Sequence, residues 1–225
     1  MVLLSTTTVI CGRVTDKSDS VSMHWMNLCP PKSYTLKDVA GGPAHEIGHL
    51  HQGAIAWTGC FESSNNLFSN YVLYKVGREC SNGAPLSELA DRKLNNRPFG
   101  NFLGNPKTED MELHMRMYWQ LWLYFHRCGI KSDFYPELFK KLRNNRNLNN
   151  LPVGERQMLF VKYASDIAQK NLADFFDTWG FMTPIDEMIV QYGESRYTVT
   201  EAMIAETKAY TAKYPASQPF YYIED

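Results

Sequence analysis

Two histidines four residues apart, with a glutamate directly behind the first, constrain this chain more than any other feature: His45-Glu46-Ile47-Gly48-His49. On a helix, positions i and i+4 lie on one face a turn apart, so the two imidazoles can aim at a single metal ion while Glu46 stands beside them. Pro43 suits the first turn of such a helix, because its fixed φ is already helical and its missing N–H has no intrahelical partner there. A chain of this composition produces the pentapeptide by chance roughly once in a hundred cases. The motif therefore needs a third ligand to carry meaning.

Six residues beyond His49 stands Ile55, which excludes the pattern that supplies a third histidine there. Glu62 lies thirteen residues after His49, past the helix-breaking segment 53–59 and at the head of a helical pattern that runs to Val72. A turn and a second helix would return that carboxylate to the histidines. Two imidazoles and one carboxylate leave a zinc ion one open position for water, the donor set of a catalytic rather than a structural site. His45, His49 and Glu62 are thus the expected zinc ligands and Glu46 the expected general base.

Asn66, four residues after Glu62, falls on the same helix face and is expected to accept the remaining ring N–H of His45, with Asn65 as the alternative. Tyr71 and Tyr74 are candidate transition-state stabilisers, alongside Tyr163, Tyr192 and Tyr197. His51, only two residues past His49, points away from the shared face. His24, His114 and His126 sit in apolar patterns and read as packed or surface histidines, and Cys60 reads as a buried structural thiol.

The 225 residues are 44% hydrophobic, enough to bury a sizeable core, and 23 basic against 24 acidic residues give a net charge of -1. That balance provides no long-range field to recruit nucleic acid or an anionic membrane. The local cluster Lys140, Lys141, Arg143 and Arg146 ends a helical pattern and reads as a solvated helix end. Cys11, Cys29, Cys60, Cys80 and Cys128 are too dispersed for a cysteine zinc site or a dense disulfide framework. The apolar opening 1–10 lacks a basic leader, is too short to span a bilayer and reads as a strand. If the protein is exported, its signal lies outside this chain, which is then part of something longer.

Residues 1–40 carry strand and turn patterns, and helical patterns follow. A largely buried helix is expected from Thr108 to Gly129, with Met111, Met115, Trp119, Trp122 and Phe125 on one face and Leu113, Met117, Leu121 and Leu123 on the others. Leu172, Phe175, Phe176 and Trp179 mark a shorter helix before Gly180. Thr183 and Pro184 predict another, with Ile185, Met188, Ile189 and Tyr192 inward, and Thr198 with Glu201 predicts a capping box for the last. The Asn/Gly/Pro-rich segment 95–106 divides a zinc-binding catalytic region, 1–95, from a helical part of the same unit, 96–225. The expected fold class is α+β and zincin-like, a small N-terminal sheet with a mainly α-helical body.

Over residues 45–72 the sequence resembles the enhancin family of zinc metallopeptidases (peptidase family M sixty), through His45-Glu46-Ile47-Gly48-His49, Gln52, Trp57, Glu62, Asn65, Asn66, Phe68 and Ser69. A weaker match covers Phe175-Phe176 and Trp179-Gly180-Phe181. The resemblance implies a gluzincin that cleaves glycoproteins, often O-glycosylated mucins, outside the cell, at its surface or in the periplasm. It also implies carbohydrate-binding modules elsewhere in a longer polypeptide. With 44 residues before His45, the upper wall of the cleft is expected to be thin. The competing reading is a non-catalytic glycan- or peptide-binding module that retains zinc, against which Glu46 argues, since binding alone needs no base.

Overall fold

The computed structural model describes residues 40–76, 108–190 and 193–218. The strands expected before residue 40, the boundary at 95–106, Tyr192, His24 and three of the cysteines (Cys11, Cys29, Cys80) lie outside them. The motif helix α1 spans Gly41–His51 and closes through a 3₁₀ turn, Gln52–Ala54. The second helix of the site is broken at Asn65 into α2, Phe61–Ser64, and α3, Asn66–Lys75. Next come α4 (Thr108–Trp122), α5 (Phe134–Arg143), α6 (Val153–Ala168) and α7 (Ala173–Thr178). An antiparallel pair, β1 (Ile185–Val190) and β2 (Glu194–Val199), precedes α8 (Glu201–Thr211). The described residues are mostly helical with this one small sheet, which lies late in the chain.

Helix α4 is central and buried on several faces: Met115, Met117, Tyr118, Trp119, Leu121, Trp122 and, just beyond it, Leu123 and Phe125 are all buried, and so are its polar residues His114, Arg116 and Gln120. Its last turn widens into a π-helical stretch, Leu123–Arg127, before Gly129 ends it at φ 72°. A positive φ is cheap only for glycine, which is why the stop falls there. Trp57, on the loop between α1 and α2, inserts beside Phe160 and Phe181 with ring centroids 6.4 and 6.3 Å away. Arg156 of α6 donates to the Ala56 carbonyl at 2.6 Å. The loop that separates α1 from α2 is therefore anchored to the body. One apolar cluster runs from Ala54 through α4 and α6 to Ile204.

Two local expectations are corrected. Residues 185–190 form a strand, not a helix, with Ile185 paired to Val199 and Ile189 to Ser195. Ile185 and Ile189, both buried, are four apart, a spacing that keeps one face in either a strand or a helix. Met188 decides between them, and it is 57% exposed. The second correction concerns the cap of α8: Thr200, not Thr198, accepts the Met203 N–H, at 3.2 Å. Thr198 is committed to β2 and donates its hydroxyl to Asp186 at 2.8 Å. Gly154 lets α6 reach this hairpin, since a Cβ there would overlap the Thr198 carbonyl.

At the basic cluster, Lys140, Arg143 and Arg146 are exposed, as a solvated helix end requires. Lys141 instead turns inward to pair with Asp166 of α6. No helix among the described residues is long and apolar enough to cross a membrane.

Candidate metal centre

Helix α1 lies along α3, and the break at Asn65 sets the short α2 so that Glu62 meets the two histidines. His45 Nε2 is 3.2 Å and His49 Nε2 3.6 Å from the same carboxylate oxygen, Glu62 Oε2. The imidazoles stand at 90° with centroids 5.0 Å apart. All three ligand atoms lie within 4.8 Å of one another. Donors placed tetrahedrally at the zinc–nitrogen and zinc–oxygen lengths of about 2.0–2.1 Å are roughly 3.3–3.4 Å apart, and the two histidine–glutamate separations fit that spacing. Their side chains are 27–29% exposed, which leaves the centre open to solvent on one side.

The surroundings orient the first histidine. Asn66 Nδ2 donates to the Glu62 carbonyl at 2.8 Å, which turns Asn66 Oδ1 to His45 Nδ1, also at 2.8 Å. The His45 proton is thereby held on Nδ1, and the Nε2 lone pair faces the centre. The hydrogen bond to Glu62 raises the His45 pKa above its ordinary value; burial opposes the rise and Asn66 adds to it. Proton and metal compete for the same nitrogen.

The second histidine sits in a network that spacing alone did not reveal. Asn65, fully buried, donates Nδ2 to the His45 carbonyl at 3.3 Å, and the same nitrogen stands 3.1 Å from His49 Nε2. On the other side of the ring, Gln52 Nε2 is 3.2 Å from His49 Nδ1, and Gln52 Oε1 is 3.3 Å from Ser64 Oγ. Gln52 follows His49 by three residues and so shares its side of the helix end, a signal the sequence did carry. Ser64 comes from another helix and left no such trace.

Glu46 is half-buried on α1 beside His45, close enough for its charge to act on that ring. Tyr71 and Tyr74 are 43% and 39% exposed, with ring centroids 6.0 and 4.8 Å from Trp122. Tyr197 is buried and donates its hydroxyl to Gln157, which removes it from contact with a solvent-borne substrate. Tyr163 lies under the Lys141 ammonium, 4.5 Å from its ring centre. His51 is exposed and leans on Phe68 at 6.0 Å. His114 is buried, and desolvation pushes its pKa well down. His126 is stacked between Trp122 and Tyr135. Burial pushes the Cys60 thiol up, so it stays protonated and inert.

A family model described as peptidase M60, enhancin and enhancin-like matches residues 21–180. Among solved structures, a metallopeptidase in complex with Tn antigen is 47% identical, with a TM-score of 0.75 over 84% of this chain and 36% of that one. A metallopeptidase from Bacteroides thetaiotaomicron has the same identity and TM-score, with 84% of this chain and 32% of that chain covered. TRPM8 channel-associated factor 3 of Rattus norvegicus is 27% identical over 185 residues, 76% of this chain and 18% of its own length. The chain spans about a third of the two solved metallopeptidases and less than a fifth of the rat protein.

Proposed function

The chain belongs to the peptidase M60, enhancin and enhancin-like family, and from that premise we propose a zinc-dependent endopeptidase that cuts peptide bonds in glycoproteins such as mucins. The observation that carries the reading is the meeting of His45, His49 and Glu62, whose ligand-type atoms all lie within 4.8 Å of one another. Zinc held by His45, His49 and Glu62 would supply a Lewis acid for water and for the scissile carbonyl. Glu46 takes the proton of the attacking water and delivers it to the leaving amine, a transfer its place beside the first histidine supports. Asn66 keeps His45 in the tautomer that binds. The exposed Tyr71 and Tyr74 remain the candidate groups for stabilising the oxyanion.

The glycoprotein substrate is supported by the Tn antigen bound to the 47% identical metallopeptidase, and a site of action outside the cell or in the periplasm by the family. The decisive experiment is digestion of a mucin-type glycoprotein with zinc, with chelator, and after removal of its O-glycans, read by product masses alongside elemental analysis. We expect about one zinc per chain and cleavage that disappears with either the metal or the glycan. Zinc without cleavage would favour the binding module. Cleavage indifferent to glycan would reject the substrate, and absence of stoichiometric zinc would reject the centre.

A further inference from the structure

The amide network around His49 contains a contradiction that one rotation removes. Both ring nitrogens face carboxamide nitrogens, Asn65 Nδ2 at 3.1 Å from Nε2 and Gln52 Nε2 at 3.2 Å from Nδ1. A neutral imidazole has one N–H and one lone pair, and an imidazolium has two N–H groups, so no protonation state accepts hydrogen bonds at both nitrogens. Oxygen and nitrogen of a carboxamide have nearly the same outline, and the surrounding hydrogen bonds decide which faces which group. Asn65 is not free to turn, because its Nδ2 donates to the His45 carbonyl at 3.3 Å. Turning it would set carbonyl against carbonyl. Gln52 is free to turn, because its other amide atom meets the Ser64 hydroxyl, which can accept as well as donate.

We infer that Gln52 is a positioning residue for His49: its Oε1 accepts the Nδ1–H while its Nε2 donates to Ser64 Oγ, which keeps His49 Nε2 unprotonated, its lone pair held by Asn65 Nδ2–H until a metal takes that place. The inference rests on the zinc reading above for its purpose, though not for its logic. His45 and His49 are then set by the same device, a carboxamide whose orientation is dictated by a fixed partner. For His45 the fixed partner is the Glu62 carbonyl, reached through Asn66. For His49 it is Asn65, which blocks a proton on Nε2 and so leaves Gln52 only the acceptor role. Gln52 and Ser64 are both buried, 3% and 0% exposed, so water does not replace either partner readily.

The test uses ¹⁵N-labelled protein and the variants Gln52→Leu and Gln52→Glu. Imidazole ¹⁵N shifts of metal-free protein near pH 8 should show His49 protonated on Nδ1 in the parent, whether or not zinc binds. Zinc affinity, measured against a chromophoric chelator, should fall roughly 10- to 100-fold in Gln52→Leu and should be kept or exceeded in Gln52→Glu, whose carboxylate accepts the same N–H. Protonation of His49 on Nε2 in the parent would overturn the inference, as would equal zinc affinity in Gln52→Leu, or equal losses in both variants with unchanged melting of the metal-free protein. A parent that binds no zinc but shows the Nδ1 tautomer would reject the metal centre and leave the role of Gln52 standing.

Discussion

Gly48 faces the Asn65 carbonyl so closely that a Cβ on it would stand 2.6 Å from the oxygen. This contact is where α1 and the break between α2 and α3 touch, and it brings a helix bearing two histidines within reach of a carboxylate from the next. Alanine is intrinsically better than glycine in a helix by about 1 kcal/mol. The opposing overlap is with a backbone atom, which cannot swing aside as a side chain would. Gly48→Ala should therefore lower stability by roughly 1–3 kcal/mol and weaken zinc binding, because the helices must part. Urea unfolding with and without zinc checks both, and a stabilised variant would mean that the helices separate at no cost.

Asn66→Ala removes the acceptor from His45 Nδ1 and the donor to the Glu62 carbonyl, both 2.8 Å bonds, at a half-buried position. Zinc affinity or turnover should drop roughly 10-fold or more, with the melting temperature of the metal-free protein little changed. Isothermal titration with zinc gives the answer. Unchanged affinity and turnover would show that Asn66 only caps local backbone.

Glu46→Gln preserves shape and hydrogen bonding but cannot take a proton. The variant should bind zinc as the parent does and lose essentially all hydrolysis. If it loses zinc instead, Glu46 has a structural role. Near-normal turnover would reject the base assignment.

Asp166 gathers α5, α6 and the end of α8: Lys141 pairs with it, Tyr214 donates at 2.7 Å, Tyr210 at 2.9 Å, and Lys213 lies 3.3 Å away. Burial acts to raise its pKa, but the hydrogen bonds from Lys141, Tyr214 and Tyr210 outweigh burial and hold it below the ordinary carboxylate value. A pKa depressed on folding contributes stability that is complete above the unfolded value of about 3.9. That contribution is lost as pH falls through the lower folded value. Asp166→Asn should cost about 2 kcal/mol at neutral pH, and the gap to the parent should close as the pH is taken below about 4. Denaturant midpoints of the two proteins at several pH values test this. A gap independent of pH would assign the loss to packing rather than charge.

What depends on helical period and on short separations is legible in the order of the residues. His45 and His49 share a face because they are four apart, Asn66 returns to Glu62 for the same reason, and α4 is central because apolar residues fall on more than one of its faces. What depends on pairs of surfaces is settled only when the elements pack. Ile185 and Ile189 satisfy both periods, so only pairing with β2 could choose the strand. Thr198 lost the cap to Thr200 because β2 had already claimed it. The meeting of Gln52 with Ser64, and the void that Gly48 leaves for the Asn65 carbonyl, involve residues twelve and seventeen positions apart on different elements. Local propensity constrains each partner of such a contact separately, whereas the contact itself exists only once the helices have packed.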